Sequence, residues 1–321
     1  MRPFVTRRAW LTSGLAFLLA TGGKSEGSRR WRVGYLDSGR SPVGSNTLRG
    51  ALRALGYEEG RNLVIDVREA NGKYGLLPAL ADELVALNPD VIVANATPAI
   101  AAAQKATSTI PIVMSPATDP IGSGFVVSFA HPGRNITGVA NMFGDTTTKM
   151  LDIIRLVFPT AKKIGILTSN NPTHPPLAAL AVSAAEKLGT SATPFAARDP
   201  EDLELVFAQM KTSHCDVVYV LADPPRPSLP QIALRASLPT VFQVNSYVTN
   251  YEGLISYGPD TTVFFKMAAT YVDRILKGSK PADIPVEQPS AFQLVVNLRA
   301  AKALQITIPE GVLLMADQVI E

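Results

Sequence analysis

From Trp31 onward, short runs rich in β-branched residues alternate with longer helical runs, and this alternation constrains the fold more than any other feature. Arg32-Val33-Gly34-Tyr35-Leu36, Leu63-Val64-Ile65-Asp66-Val67 and Asp90-Val91-Ile92-Val93-Ala94 read as strands. So do Ile110-Pro111-Ile112-Val113-Met114 and Asn135-Ile136-Thr137-Gly138-Val139. Between them, Thr47 to Leu55, Leu76 to Leu87 and Pro98 to Lys105 have helical spacing. Gly56 closes the first helix, and Pro98 stands near the first turn of the last, where its missing N–H costs nothing. Strands separated by helices imply right-handed crossovers and a parallel sheet.

The alternation restarts after Gly144, so an α/β unit is succeeded by a second of similar plan. Thr147 to Phe158, Leu177 to Leu188 and Asp202 to Lys211 read as helices. Lys163 to Leu167, Val217 to Leu221, Thr240 to Val244 and Leu254 to Tyr257 read as strands. The remaining chain exceeds the needs of a second unit: a helix over Thr262 to Lys277, a proline-rich connector over Lys280 to Pro289, an extended run Phe292 to Asn297 and a helix from Leu298. The expectation is an α/β chain of two lobes with parallel sheets, crossing between them three times. Residues 31–142 with 262–290 would form one lobe, and residues 143–261 with 291–321 the other.

Residues 1–30 read as a signal peptide and disordered leader. Thr6-Arg7-Arg8 is a basic start, Leu11 to Ala20 is apolar but too short to span a bilayer, and Ala20-Thr21-Gly22 offers small residues for cleavage. The paired arginines resemble the twin-arginine export signal, which places the processed chain in the periplasm. Arg2, Arg7 and Arg8 account for the formal charge of +3; beyond residue 22, 27 basic residues face 27 acidic ones. A neutral body without basic runs argues against a nucleic-acid partner. The lone Cys215 heads an apolar run and reads as a core thiol.

Open parallel sheets bind ligands beyond their carboxyl edges, beside helix N-termini. The loops at those places are polar and small: Ser38-Gly39, Asn95-Ala96-Thr97, Ala117-Thr118-Asp119, Ser169-Asn170, Asp223-Pro224 and Asn245-Ser246. The candidate ligand-binding residues are therefore Ser38, Ala96, Thr97, Thr118, Asp119, Asn141, Ser169, Asn170, Asp223 and Asn245. Each polar one has a plainer role as well, since Ser, Thr, Asn and Asp are the preferred helix caps. Catalytic patterns are missing. His131 and His174 read as surface-loop residues beside prolines, and His214 flanks a strand. None has metal-ligand spacing, and neither a nucleophile elbow nor a phosphate or dinucleotide loop occurs. The pattern asks for no cofactor, metal or catalytic residue.

Several segments together carry a family resemblance: Leu55-Gly56-Tyr57 with Glu59-Gly60-Arg61-Asn62, Ala96-Thr97-Pro98-Ala99, Asp119-Pro120-Ile121-Gly122-Ser123-Gly124, Asn135-Ile136-Thr137-Gly138, Ser256-Tyr257-Gly258 and Ile275-Leu276-Lys277-Gly278. In this order the chain resembles ABC-transporter substrate-binding proteins of the tryptophan/tyrosine-binding type. The resemblance implies a type I periplasmic-binding-protein fold with Rossmann-like lobes and capture of a small solute, often an amino acid. It also implies handover to a membrane permease and its ATPase; a monomer that is not an enzyme is expected. By position, Thr97 and Thr118 resemble first-lobe contacts, and Asn170 and Asp223 second-lobe ones, with Asp223 suited to an ammonium. The sequence departs from the family at Asp223-Pro224-Pro225-Arg226-Pro227, where asparagine usually comes after the aspartate and the next helix is longer. Two competing readings are the effector domain of a sugar-repressor-like regulator and a two-domain α/β enzyme. The first needs a DNA-binding headpiece for which the leader leaves no room; the second lacks a catalytic constellation.

Overall fold

The computed structural model describes residues 29–289 and 291–321, so the expected export leader falls almost wholly outside the described residues. The first α/β run is β1 (Trp31–Asp37), α1 (Pro42–Ala54), β2 (Leu63–Glu69), α2 (Leu77–Ala86), β3 (Val91–Asn95), α3 (Ala96–Ala106), β4 (Ile112–Ala117) and β5 (Ile136–Ala140). Its five strands are all parallel, in the order β2-β1-β3-β4-β5. The inner strand β3, Val91-Ile92-Val93-Ala94-Asn95, is buried throughout, and its apolar run from Val91 to Ala94 is that of a sheet covered on both faces.

The second run is α4 (Phe143–Val157), β6 (Lys163–Thr168), α5 (His174–Lys187), β7 (Ser191–Ala196), α6 (Leu203–Thr212), β8 (Val217–Val220), α7 (Leu229–Ala236), β9 (Thr240–Phe242), α8 (Ser246–Thr249) and β10 (Ile255–Gly258). The chain then returns to the first sheet as α9 (Thr261–Leu276). Asp260 caps this helix by accepting from the Thr262 backbone N–H at 2.9 Å. Its buried stripe of Phe264, Phe265, Ala268, Ala269, Val272 and Leu276 repeats at helical spacing. That stripe packs with Val33, Tyr35, Val93, Val113 and Val139 of the first sheet, while α2 and α3 cover the opposite face. The connector beyond α9 lies along the edge of β5, where Glu287 bridges Val139 and the Thr137 hydroxyl donates to the Ile284 carbonyl at 2.6 Å.

The last elements are β11 (Gln293–Asn297), α10 (Leu298–Ala303), α11 (Glu310–Met315) and β12 (Gln318–Ile320). They complete a seven-stranded sheet in the order β12-β11-β10-β9-β8-β6-β7, in which only the β10–β11 pair is antiparallel. The chain thus passes between the sheets three times, after β5, after β10 and before β11.

Three details correct the sequence reading. The sequence pattern does not predict β7 and β12; both are edge strands with largely exposed side chains, and Pro194 sits within β7, as only an edge tolerates. The helix expected from Thr147 begins at Phe143, straight off the crossover. His174 is not in a surface loop: it opens α5 and is 2% exposed.

Candidate functional site

The carboxyl edges of the two sheets face one another, and the loops leaving them enclose a cavity of about 400 Å³. Both sheets contribute to its wall. Asn95 at the end of β3, Ala96 and Thr97 at the start of α3, and Thr118 and Asn141 just past β4 and β5 come from the first sheet's edge; Asn171, Asp223, Pro224, Pro225, Val244 and Asn245 come from loops of the second. Phe143, Phe264, Phe265 and Tyr251 supply aromatic surface. The N-termini of α1, α3, α4 and α9 all open on this space, each with one first-turn N–H capped by a side chain, so their helix dipoles point positive ends at it.

The first-sheet wall is pre-organised by side-chain hydrogen bonds. The Thr97 hydroxyl accepts from the Thr118 backbone N–H at 3.0 Å, and the Asn141 amide donates to the Thr118 hydroxyl at 2.8 Å. Asn141 also accepts from the Phe143 N–H at 3.3 Å, tying the crossover to the wall. Ala96 has φ +69°, a left-handed conformation that costs a non-glycine residue about 1–2 kcal/mol, so strain is stored in the cavity wall. Beneath it, the buried Asp37 accepts from the Gly39 N–H, the Asn95 amide and the Tyr35 hydroxyl. Burial pushes the Asp37 carboxyl up, and those three bonds oppose the shift. The result is a fixed loop at Ser38-Gly39.

On the opposite wall, two loops are joined through His174. Its Nδ1 accepts from the Ser169 backbone N–H at 2.7 Å, which assigns the proton to Nε2, 3.1 Å from the Ala222 carbonyl. Burial holds its pKa below the usual value, so the ring is neutral. Gln243 braces the same region, accepting from the Ala222 N–H at 2.9 Å and donating to the Phe143 carbonyl at 2.8 Å. Asp223 gathers four groups. Its Oδ1 accepts from Tyr74 at 2.6 Å and Asn171 at 3.1 Å; its Oδ2 faces the Arg226 guanidinium at 3.4 Å; His174 is 4.0 Å away. Arg226 is itself 6% exposed and also donates to the Ala197 carbonyl.

Tyr74 belongs to the first α/β run and Asp223 to the second, so their hydrogen bond spans the cleft. Burial and the neighbouring carboxylate push the Tyr74 hydroxyl well above its ordinary pKa, which keeps it a donor. Lys73 and Glu201 pair across the same rim at 2.7 Å. Gly39 lies so close to Pro224 that an added Cβ would stand 2.5 Å from the proline Cβ. The two lobes therefore touch at the mouth, and the cavity lies behind that contact.

The cavity brings together Ala96, Thr97, Thr118, Asn141, Asp223 and Asn245 of the sequence-derived candidates. It does not bring in the other four. The Ser38 hydroxyl is fully buried between the Asn95 carbonyl and the Ala99 N–H, where it anchors α3. Asp119 accepts from the Gly122 N–H in an exposed turn at φ +44°. Ser169 holds the Asn171 N–H at 3.1 Å, and Asn170 is exposed beyond the wall, so its neighbour Asn171 takes the place expected of it. The sequence reading misses Tyr74, His174 and Arg226. Arg226 alone has a signal, in the unusual Pro224-Pro225-Arg226-Pro227 run.

No group of three or more His, Cys, Asp or Glu residues among the described residues is placed to hold a metal ion. Cys215 is buried, and burial pushes its thiol pKa up, leaving it protonated. No helix among the described residues is long and apolar enough to cross a membrane.

Comparison with known proteins agrees with this architecture. A structure of a conserved domain protein from Vibrio cholerae O1 biovar El Tor is 30% identical, covers 91% of this chain and all of that one, and superposes with a TM-score of 0.83. An ABC domain from Streptococcus pneumonia, solved in complex with L-Trp, is 28% identical over 91% of this chain and 100% of that one, with a TM-score of 0.82. A tyrosine-binding protein of Clostridioides difficile (strain R20291) is 25% identical over 289 residues, 88% of this chain and 83% of that protein. The fold is the two-lobed type I periplasmic-binding-protein fold. The profile of one family, described as ABC transporter substrate binding protein, matches residues 44–320, and the chain belongs to that family.

Proposed function

We propose that this chain is the extracytoplasmic receptor of an ABC importer and closes its lobes on a small solute with an aromatic or branched body and a carboxylate. The observation that carries this reading is the interlobe cavity: about 400 Å³, within the range of small-molecule sites, with helix N-termini beside phenylalanine and tyrosine surface. Helix N-termini and the hydroxyls of Thr97 and Thr118 suit a carboxylate. Phe143, Phe264, Phe265 and Tyr251 suit a ring or branched chain. The relatives described with tryptophan and tyrosine support a ligand of this size.

Transport depends on closure. A ligand that binds the closed form better shifts the lobes together, and the closed surface is what a permease with its ATPase would read. In this reading the protein is a monomer, is exported through residues 1–30, and releases its ligand chemically unchanged. A thermal-shift screen of amino acids and aromatic or branched carboxylates on the purified protein tests it. A rise in Tm with members of that panel is expected. A flat response across the whole panel would refute the ligand class.

A further inference from the structure

The charges around the cavity divide ligands that the receptor reading leaves together. Among the described residues, the charged ones lining it are Arg40, Asp223 and Asp260. Asp260 is committed to α9, accepting from the Thr262 N–H and, with both oxygens, from the Thr262 hydroxyl. Asp223 is committed too: Tyr74 and Asn171 occupy Oδ1, and the buried guanidinium of Arg226, three residues along in the same loop, faces Oδ2. The Asp223–Arg226 pair is neutral as a unit. An α-ammonium arriving at Asp223 would meet a carboxylate whose charge is already compensated, with a second cation next to it. A buried ammonium without a free counter-charge is strongly disfavoured. A carboxylate meets a different situation: the N-termini of α1, α3, α4 and α9 surround the cavity, and Arg40 at its exposed rim is held only by a 3.7 Å pairing with Glu69.

We propose that Arg226, by neutralising Asp223, makes this cleft select carboxylic acids that carry no ammonium over the corresponding α-amino acids. The inference rests on the receptor reading above and names its substrate class: a monoanionic acid with an aromatic or branched body. Arg226 acts through Asp223 and is a specificity-determining residue that need not touch the ligand.

Matched pairs that differ only in the ammonium test this by calorimetry on the full-length protein: indole-3-propionate against L-tryptophan, 3-(4-hydroxyphenyl)propionate against L-tyrosine, and 4-methylvalerate against L-leucine. In the wild type, the acid of at least one pair should bind about tenfold or more tighter than its amino acid. In Arg226→Gln, which frees the Asp223 charge, that ratio should fall by about tenfold or invert. Because Arg226→Gln leaves a buried carboxylate less well paired, the double variant Asp223→Asn/Arg226→Gln is measured beside it. Removing both charges together should preserve binding of the acid. Equal or tighter binding of the amino acids by the wild type overturns the inference and leaves the receptor reading standing. An unchanged ratio in a folded Arg226→Gln protein also overturns it. Failure of both members of every pair to bind would overturn both readings.

Discussion

Substituting Gly39 with alanine separates closure of the lobes from stability of the fold. In the closed protein an added Cβ would lie 2.5 Å from the Pro224 Cβ, 3.5 Å from its Cγ and 3.7 Å from its Cα. Carbon atoms rest at about 3.5–4.0 Å, so the rim must open by roughly 1 Å to relieve the clash. Neither partner yields easily: Pro224 is a rigid ring, and the Gly39 loop is tied by Asp37. Overpacking of this kind costs about 1–3 kcal/mol. Because the clash exists only when the lobes meet, it emerges as about 5- to 150-fold weaker ligand binding. Calorimetric titration with the tightest ligand of the screen measures it, and scanning calorimetry without ligand serves as the stability control. Gly50→Ala is the comparison, since an added Cβ there meets nothing within 4 Å; it should leave affinity unchanged. Wild-type affinity in Gly39→Ala would show that binding does not need this rim contact and would refute the closed-cleft argument.

The same geometry sets further outcomes. Thr97→Ala removes the hydroxyl that holds the Thr118 N–H and should weaken binding by about 0.5–1.5 kcal/mol, read by calorimetry. His174 is buried neutral with a lowered pKa, so the unfolded chain binds more protons than the folded one as pH falls below about 6.5. Stability should therefore fall with pH from that point downward, and Tm tracked from neutral to acid pH should lose part of this slope in His174→Asn. Mass spectrometry of periplasmic material should show a chain lacking residues 1 to about 22–30, and an intact Met1 on a cytoplasmic protein would refute export.

The fold is largely legible in the sequence because parallel strands buried on both faces, such as the one that opens with Val91 to Ala94, are continuous apolar runs with helices between them. The unforeseen strands β7 and β12 lie at sheet edges, where one neighbour suffices and exposed, mixed side chains leave no periodic signal. Site residues are legible to the level of loops, not of side chains. Strand ends locate Thr97, Thr118, Asn141, Asp223 and Asn245, but within one loop the backbone turns Asn170 outward and Asn171 inward, a choice no local pattern records. Ser38 illustrates the converse, a hydroxyl in the expected place that is consumed by the fold itself. Tyr74 is out of reach for another reason: its partner Asp223 is 149 residues away, and only the closed arrangement of the two lobes brings them together.

Small-angle X-ray scattering of the protein with and without saturating ligand tests ligand-driven closure most directly. A solute receptor whose rim is latched by Tyr74–Asp223 and Lys73–Glu201 should contract on binding, its radius of gyration falling in step with one-to-one occupancy. An unchanged radius of gyration at full occupancy would contradict the account.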